Sequence, residues 1–282
     1  MHIFTAVGPL KAFLKHHHPA QVSVGLIPTM GALHQGHISL VEASKKENSI
    51  TVCSIYVNPK QFNNRTDLVK YPRTLEKDIQ ILGDAGCDVV FNPDDAEMNA
   101  EASQFSIDFG SLNKILEGEF RPGHFSAVAV VVSKLFNIVQ PDRAYFGQKD
   151  FQQVIVISRL IEELKFDVKL VRLPIVREYD GLAMSSRNMR LNADERRQSV
   201  SLFECLKQTR DGLLRGESFS SLKEKVSNRC IESNVKLEYF ALADIKNLTL
   251  LQNVEEPEQT ILLIAGYVGE VRLIDNMLLI EK

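Results

Sequence analysis

Residues 25–41 decide the fold, and they read Gly25-Leu26-Ile27-Pro28-Thr29-Met30-Gly31-Ala32-Leu33-His34-Gln35-Gly36-His37-Ile38-Ser39-Leu40-Val41. The apolar residues from Val22 to Ile27 predict a short buried strand, and residues 28–36 form a turn rich in residues that helices avoid. Residues 38–43 then open a helix. His34 and His37 therefore lie where a strand is followed by a helix.

This position favours phosphate. The start of a helix leaves backbone N–H groups unpaired and carries a partial positive charge. Gly31 and Gly36 have no Cβ, so a ligand can approach the backbone closely. His34 and His37 are three residues apart, which puts both imidazoles on one side of a first helical turn. The turn therefore suits the phosphates of a nucleotide.

Two other interpretations of this turn remain open from the motif alone. The histidines could form a metal pair, although no third Cys, His or carboxylate lies at a recognisable spacing nearby. They could also be ordinary turn residues.

Composition bounds the function classes. The chain has 282 residues, enough for one large or two modest domains, and its 44% apolar and 24% charged residues are typical of a globular protein. With 33 Lys and Arg against 36 Asp and Glu, the formal net charge of −3 gives no electrostatic reason to expect nucleic acid. No apolar run is long enough to span a bilayer and no signal-peptide pattern opens the chain, so we expect no membrane role.

The cysteines indicate a reducing compartment. The four are Cys53, Cys87, Cys205 and Cys230, which are widely scattered and form no CxxC pair. We expect Cys53 and Cys87 to be buried thiols, and a cytosolic location for the chain. The tract His16-His17-His18 precedes Pro19 and predicts a surface turn at the end of a helix.

A strand, a helix and a second strand follow one another in the first sixty residues. Residues 50–57 are rich in β-branched side chains and predict a buried strand, so residues 22–57 form a βαβ unit of a parallel sheet. The loop from Asn58 to Asn63 follows the second strand directly. Loops after the carboxyl ends of parallel strands line the ligand crevice, so this loop should face the histidine turn.

Further elements complete this first domain. Periodicity predicts a helix over residues 4–14, a helix capped by Thr74, strands at 89–91 and 168–173, and a short helix before Gly118. Residues 104–108 suggest another strand. Residues 126–139 are rich in valine, but their length and interspersed polar residues favour a largely buried helix.

Residues 142–161 repeat the pattern of the first strand and helix, because they predict a strand, a glycine turn and a helix in succession. Lys149 stands at the start of that helix, where the helix dipole mildly opposes a cation, so its position makes sense beside an anion. An exposed surface lysine is the alternative. Further on, Ser185, Ser186 and Arg187 follow a glycine turn, and two hydroxyls with a planar donor fork suit phosphate oxygens.

Composition shifts after Asn192. Asn192 and Glu195 form a capping box, and Ser221 with Glu224 opens another helix. Residues 237–243, 260–268 and 271–280 predict antiparallel strands. We therefore expect an α/β protein with a Rossmann-like parallel-sheet domain at 1–177 and a smaller α+β domain at 178–282.

Taken together, the motifs resemble those of the pantothenate synthetase family, the pantoate–β-alanine ligases, within the nucleotidylyltransferase superfamily. The resemblance runs nearly end to end and is carried by Pro28–His37, Val57–Phe62, Tyr71–Leu75, Arg121–Phe125, Tyr145–Gln153, Met184–Asn188 and Arg272–Asn276. It implies a Rossmann-like fold with a C-terminal lid domain.

The resemblance implies a two-step reaction that uses ATP. The carboxylate of (R)-pantoate attacks the α-phosphorus to give pantoyl adenylate and pyrophosphate, and the amine of β-alanine then displaces AMP to form pantothenate, on the route to coenzyme A. Positioning and charge stabilisation should dominate such catalysis. The resemblance also implies a homodimer.

The same resemblance implies roles for individual residues. His34, His37, Lys149 and Arg187 would be catalytic, with His37 as the candidate proton donor. Gln61 and Gln153 would bind pantoate, and Gln61 would also border β-alanine. The ATP site would comprise Met30, Gly31, Ala32, Leu33, His34, Gln35, Gly36, His37, Gly147, Gln148, Lys149, Asp150, Val176, Met184, Ser185, Ser186 and Arg187. Mg²⁺ would arrive with ATP without a direct protein ligand, and Asp78 is a candidate for a water-mediated contact.

Two alternative functions are considered, one of them another enzyme and the other a non-catalytic protein. A nucleotidylyltransferase that keeps the nucleotide in its product should have a basic acceptor site in place of Gln61 and Gln153. A non-catalytic nucleotide-binding protein should have lost Lys149, His34 or His37, and all three are present.

Overall fold

The computed structural model describes residues 1–17, 22–99 and 105–281. It divides into two compact units, the first formed by residues 1–147 and 152–174 and the second by residues 148–151 and 175–282. The division at residue 178, with the second part as a lid, stays a prediction. Of the histidine tract, His18 and the following Pro19 lie outside the described residues, as does Gln104 of the predicted strand at 104–108.

The first unit contains a parallel sheet. Its strands are β1 (His2–Phe4), β2 (Val24–Thr29), β3 (Ile50–Ile55), β4 (Val89–Phe91), β5 (Arg143–Gly147) and β6 (Lys169–Leu173). Within the described residues they lie in the order β1-β4-β3-β2-β5-β6, and every neighbouring pair is parallel. The chain order reverses between β2 and β5, so the carboxyl ends of these two strands mark the switch point where open α/β sheets bind ligands. The prediction of a Rossmann-like α/β fold is confirmed.

The helices of this unit connect the strands. They are α1 (Val7–His17), α2 (Gln35–Glu47), α3 (Arg65–Val69), α4 (Leu75–Asp84), α5 (Asp95–Met98), α6 (Glu117–Phe120), α7 (His124–Val139) and α8 (Phe151–Leu164). The first residue of α8, Phe151, groups with the second unit. Helix α7 confirms the helical interpretation of the valine-rich block, since eight of its residues are buried.

Alternate residues of each strand pack on opposite faces of the sheet. Leu26 and Val52 belong to the core cluster that includes residues of α1, α7 and α8, whereas their neighbours Ile27 and Cys53 belong to the cluster that includes residues of α2 and α4. All four side chains are fully buried. Both faces of the sheet are therefore covered, which explains why its strands are apolar without alternation.

The second unit contains an antiparallel sheet covered by two long helices. Its elements are α9 (Ala193–Leu214), α10 (Phe219–Glu232), β7 (Val235–Asp244), β8 (Leu250–Leu251), β9 (Thr260–Val268) and β10 (Val271–Leu278). The strands lie in the order β10-β9-β7-β8. Leu206 of α9 and Val226 of α10 share one buried cluster with Phe240 and Ile264 of the sheet. The expected α+β arrangement is confirmed.

Several local predictions differ from the structure. Residues 105–109 form no regular secondary structure, because Ile107 bonds through its backbone N–H to the Ser126 side chain and not to a strand. The short helix before Gly118 is a 3₁₀ turn at Gly110–Asn113. Helix α10 begins before the predicted Ser221, since Ser218 is its N-cap. Within the described residues, no helix combines the length and the apolar character that crossing a membrane requires.

Candidate active site

The histidines lie at the start of helix α2 as predicted, but the helix begins at Gln35 and not at the predicted Ile38, so Gly36 and His37 belong to its first turn. Local hydrogen bonds orient both imidazoles. His34 is the N-cap, and its Nδ1 accepts a hydrogen bond from the backbone N–H of Gly36 at 3.1 Å. The backbone N–H of His34 donates in turn to Nδ1 of His37 at 3.3 Å. The two ring centroids lie 4.1 Å apart, which confirms that both rings share one side of the first turn.

These bonds determine the tautomers. A ring nitrogen that accepts a hydrogen bond carries no proton, so the proton of each neutral imidazole lies on Nε2. Both rings are half-buried. The start of α2 therefore presents two Nε2–H donors beside the positive end of a helix dipole, an arrangement suited to an anion.

The side chain of Asp78 is hydrogen-bonded to the backbone of the histidine turn. Its side chain is 1% exposed, and its two carboxylate oxygens accept from the backbone N–H groups of Ala32 at 2.9 Å and Leu33 at 2.8 Å. Thr74 also donates to it at 3.2 Å. Gly31 has a φ of +78°, and a Cβ there would lie 3.0 Å from Asp78 Oδ2. Asp78 therefore stabilises the turn itself, and its water-mediated contact with Mg²⁺ stays a prediction.

Gln61 lies against the same turn. It is 8% exposed in the 3₁₀ turn Pro59–Gln61 after β3. Its Nε2 donates to Sδ of Met30 at 2.9 Å, and its Oε1 accepts from Nδ2 of Asn58 at 3.3 Å. The prediction that this loop faces the histidine turn is confirmed. Both ends of the Gln61 amide are thus oriented before any ligand binds.

The backbone of Gln61 is held from another motif. Its carbonyl oxygen accepts from Nδ1 of His124 at 2.9 Å and from Nη2 of Arg121 at 3.3 Å. Arg121 also pairs with the buried Glu117 at 3.5 Å. Sequence reasoning assigned no definite role to Arg121 and His124. In the structure, both side chains donate hydrogen bonds to the Gln61 carbonyl.

Gln152 and Gln153 lie in the first turn of helix α8 but have different surroundings. Gln152 is buried, donates to the carbonyls of Leu112 and Ile115, and accepts from the backbone N–H of Glu117 at 3.0 Å. It therefore stabilises the segment before α6. Gln153, the predicted pantoate residue, is half-buried.

In the second unit, Lys149 lies in the 3₁₀ turn Gln148–Asp150. Gln148 is buried, Lys149 half-buried and Asp150 exposed. The carbonyls of Gln148 and Lys149 both accept hydrogen bonds from Asn276 of β10. Sequence reasoning assigned no role to Asn276, although it closes one of the quoted motifs.

Ser185, Ser186 and Arg187, the predicted phosphate clamp, follow a small hairpin at residues 176–184. Its two arms meet in an antiparallel bridge between Arg177 and Ala183, and the backbone N–H of Met184 donates to the carbonyl of Val176 at 3.0 Å. The structure thus brings together two of the residues predicted for the nucleotide pocket. Ser185 then caps the 3₁₀ turn Ser186–Arg190, because its hydroxyl accepts from the backbone N–H of Arg187 at 3.2 Å.

Cys53 and Cys87, in the first unit, offer no nucleophile. All four cysteines are free and buried. Burial raises the pKa of the Cys53 thiol well above its usual range and that of Cys87 to about 11, so both stay protonated and unreactive near neutral pH. The prediction of buried thiols is confirmed. Within the described ranges, no cluster of three or more His, Cys, Asp or Glu could hold a metal ion.

These features define a class of protein. It is an α/β protein with a Rossmann-like sheet, in which the turn after the first buried strand presents two imidazole donors at a helix start. The family model of pantoate-beta-alanine ligase matches residues 2–278. The chain belongs to the pantoate-beta-alanine ligase family, and its activity is the ligation of pantoate to β-alanine in pantothenate biosynthesis.

Individual relatives agree along the whole chain. It is 43% identical to a pantothenate synthetase of Cytophaga hutchinsonii over 280 residues, with 98% of each protein covered. It is 45% identical to one of Porphyromonas gingivalis over 282 residues, which covers 98% of this chain and 99% of the relative.

Solved structures show the same fold. A crystal structure of the enzyme from Thermus thermophilus matches with a TM-score of 0.93 at 38% identity, with both chains fully covered. A pantoate-beta-alanine ligase from Francisella tularensis, complexed with beta-gamma ATP and beta-alanine, matches with a TM-score of 0.84 at 35% identity and covers 99% of this chain and 98% of that one.

Proposed function

We propose that the chain makes pantothenate through a bound pantoyl adenylate. In the first step a carboxylate oxygen of (R)-pantoate bonds to the α-phosphorus of ATP, the bond to the bridging oxygen breaks, and pyrophosphate leaves. In the second step the amine of β-alanine attacks the acyl carbon, loses a proton, and displaces AMP. Such chemistry asks little covalent work of the protein, so its residues act by orientation and charge stabilisation.

The observation that carries this proposal is the pair of imidazoles at the start of α2. Their Nδ1 atoms accept backbone hydrogen bonds, so the ring proton of each neutral imidazole lies on Nε2, and this is the atom that we assign to the phosphates. We assign His34 and His37 to these phosphates, with His37 as the proton donor to the leaving group. The neighbouring residues Met30, Gly31, Ala32, Leu33, Gln35 and Gly36 complete this part of the nucleotide site.

Charge on the phosphates requires cations and further donors. We assign Lys149 to the transferred phosphorus centre, and Ser185, Ser186 and Arg187 to the leaving phosphates. The assignment of Ser185, Ser186 and Arg187 is supported by the backbone hydrogen bond through which Ser185 caps the turn that contains Arg187. Gly147, Gln148, Asp150, Val176 and Met184 belong to the nucleotide site in this proposal.

We assign pantoate to Gln61 and Gln153, and the β-alanine site to the border of Gln61. A buried amide whose orientation is set by Asn58 and Met30 can discriminate hydroxyl from carboxylate oxygens. This geometry supports the assignment because an oriented side chain loses little entropy when substrate binds.

The remaining partners follow the family. MgATP is the proposed substrate, with Mg²⁺ held by phosphate oxygens and water. We propose a homodimer, which sedimentation at micromolar protein would test by its mass. We also propose a cytoplasmic enzyme, which the four free thiols support because reducing compartments keep thiols unpaired.

Pyrophosphate release tests the reaction. Purified protein is mixed with MgATP and (R)-pantoate, with and without β-alanine, and the products are analysed by mass. We expect one equivalent of pyrophosphate per site without β-alanine, and continuous turnover to pantothenate and AMP when it is added. No release with pantoate would overturn the proposal and indicate another acceptor, and pyrophosphate without AMP in the complete mixture would contradict the second step.

A further inference from the structure

Asn276 of β10 bonds to the turn that carries Lys149. Its Nδ2 donates to the carbonyl of Gln148 at 3.0 Å and to that of Lys149 at 2.9 Å. Its Oδ1 accepts from Nε2 of Gln148 at 3.3 Å. The Asn276 side chain is 2% exposed, and both of its bonds to Gln148 are buried. One amide thus uses both of its N–H groups on consecutive carbonyls.

The bonded turn is short. The 3₁₀ turn comprises only the three residues Gln148–Asp150, and such turns have poor internal hydrogen-bond geometry. A bond to the Lys149 carbonyl fixes the peptide plane that follows this residue. It therefore fixes the direction in which the Lys149 side chain leaves the backbone.

Asn276 is itself rigidly held. Asp275, 4% exposed, forms a bidentate pair with Arg177, with N–O distances of 2.7 and 3.0 Å. Nη2 of Arg177 also donates to the Asn276 carbonyl at 3.1 Å, and the Asn276 backbone N–H donates to Oδ1 of Asp275 at 2.7 Å. Both the backbone and the side chain of Asn276 are thus immobilised, as the support of a precise site requires.

We propose that Asn276 is a positioning residue for Lys149. The inference rests on the proposed role of Lys149 at the transferred phosphorus. Without the Asn276 amide, the buried carbonyl of Gln148 and the part-buried carbonyl of Lys149 lose their donor and the turn samples other conformations, so the ammonium group is misplaced at the moment of adenylation. The binding of pantoate, assigned to other residues, should change little.

A double-mutant cycle tests this inference. The variants are Asn276→Ala, Lys149→Ala and the two combined, and the measured quantity is single-turnover pyrophosphate release at saturating MgATP and pantoate. We expect Asn276→Ala to slow release about 10- to 100-fold, as a displaced catalytic group does. Lys149→Ala should slow it about 10²- to 10³-fold, as loss of a charge-stabilising donor does. The double variant should be within about twofold of Lys149→Ala, because a positioning residue has nothing left to position.

Two further variants separate positioning from general stability. Asn276→Asp keeps the size and the acceptor but removes both donors, so it should reproduce the slow release if the alanine variant folds poorly. Glu238→Gln weakens the ion pair between Glu238 and Arg272. Arg272 lies on β10, the strand that also contains Asn276. This control should lower the unfolding midpoint with unchanged release. In both Asn276 variants the KM for pantoate should stay within about twofold.

The outcomes distinguish the inference from the proposed function. If the losses multiply in the double variant, Asn276 acts independently of Lys149 and the inference is wrong. If Lys149→Ala is slow while folded Asn276 variants turn over at the original rate, the inference is wrong and the role of Lys149 stands. Full activity of Lys149→Ala would overturn the proposed role of Lys149 itself, and the inference with it.

Discussion

The backbone carbonyl of Gln61 accepts a hydrogen bond from Nδ1 of His124 across 2.9 Å. A carbonyl cannot donate, so Nδ1 of His124 carries the proton in this bond. Arg121 donates to the same oxygen at 3.3 Å. Two residues of the Arg121–Phe125 motif therefore stabilise the backbone of a residue in the Val57–Phe62 motif.

Replacing His124 should loosen Gln61. His124 is buried, so His124→Ala removes a donor from a buried carbonyl and leaves space behind it. We expect the free energy of unfolding to fall by about 1–3 kcal/mol and the KM for pantoate to rise. Urea unfolding and steady-state kinetics measure both quantities. His16→Ala changes an exposed histidine of α1 and serves as the control. Equal stability of the His124 and His16 variants would contradict the prediction.

Replacing Asp78 tests whether it supports the histidine turn or contacts Mg²⁺. Asp78→Asn exchanges one accepting oxygen for an N–H group, which would then face a backbone N–H of Ala32 or Leu33. We expect a loss of about 1–3 kcal/mol in unfolding free energy and a higher KM for MgATP that excess Mg²⁺ does not restore. Asp84→Asn, at an exposed position of the same helix, is the matched control. Recovery of the KM at high Mg²⁺ would favour the metal contact instead.

Local patterns predicted the fold well where one short stretch carries the information. Runs of apolar residues such as Leu26 and Ile27 indicated the parallel strands, and Asn192 with Glu195 indicated the N-terminus of α9, whose capping box the structure contains. The order of the strands in the sheet, by contrast, depends on pairings such as Gly25 with Arg143, which no local pattern encodes.

Distant contacts within the candidate site could not be predicted. Asp78 bonds to a turn that lies 45 and 46 residues earlier in the chain, and Asn276 bonds to one 127 and 128 residues earlier. Sequence reasoning found the histidines, the lysine and the glutamines, because these side chains have recognisable chemistry. It did not find the residues that orient these side chains. A carboxylate or amide residue looks the same in the sequence whether its side chain binds a ligand or bonds to the backbone. For Asn276, the sequence signal was only its place at the end of the Arg272–Asn276 motif.

A glycine pair tests the hairpin before Ser185. Gly181 has a φ of +94°, and a Cβ there would lie 2.1 Å from the ring of Phe203, over which Arg177 packs at 4.6 Å. Gly216 has a similar φ of +87° but no atom near its would-be Cβ. Gly216→Ala should therefore cost about 1 kcal/mol from backbone conformation alone. Gly181→Ala should cost about 1–3 kcal/mol more, since the ring must move.

The two glycine variants are compared by thermal or urea unfolding, followed by pyrophosphate release at a temperature where both are folded. We expect slower release only in Gly181→Ala, because the hairpin leads directly into the proposed phosphate clamp. If both variants lose the same stability, the Phe203 ring does not restrict the turn, and the prediction is wrong.

Acid should weaken the same hairpin through Asp180. A hydrogen bond from Arg196 holds the pKa of the Asp180 carboxyl below its ordinary value, and the two side chains pair at 2.7 Å. In the unfolded chain the Asp180 carboxyl has the ordinary pKa of about 3.9, so it binds a proton at a higher pH than it does in the folded protein. This contribution to stability is therefore fully present above about pH 5 and is lost as the pH falls through the ordinary value toward the lowered one.

Arg196→Gln should remove that dependence. We expect the variant to lose about 1 kcal/mol or less at pH 7, as a partly exposed ion pair contributes little. The difference in unfolding free energy between wild type and variant should shrink as the pH falls from about 5 to 3. Urea unfolding at a series of pH values measures it. Lys207→Gln removes one positive charge from an exposed site on the same helix, so its difference from wild type should stay nearly constant over this range. A constant difference for Arg196→Gln as well would mean that Arg196 does not lower the pKa of Asp180.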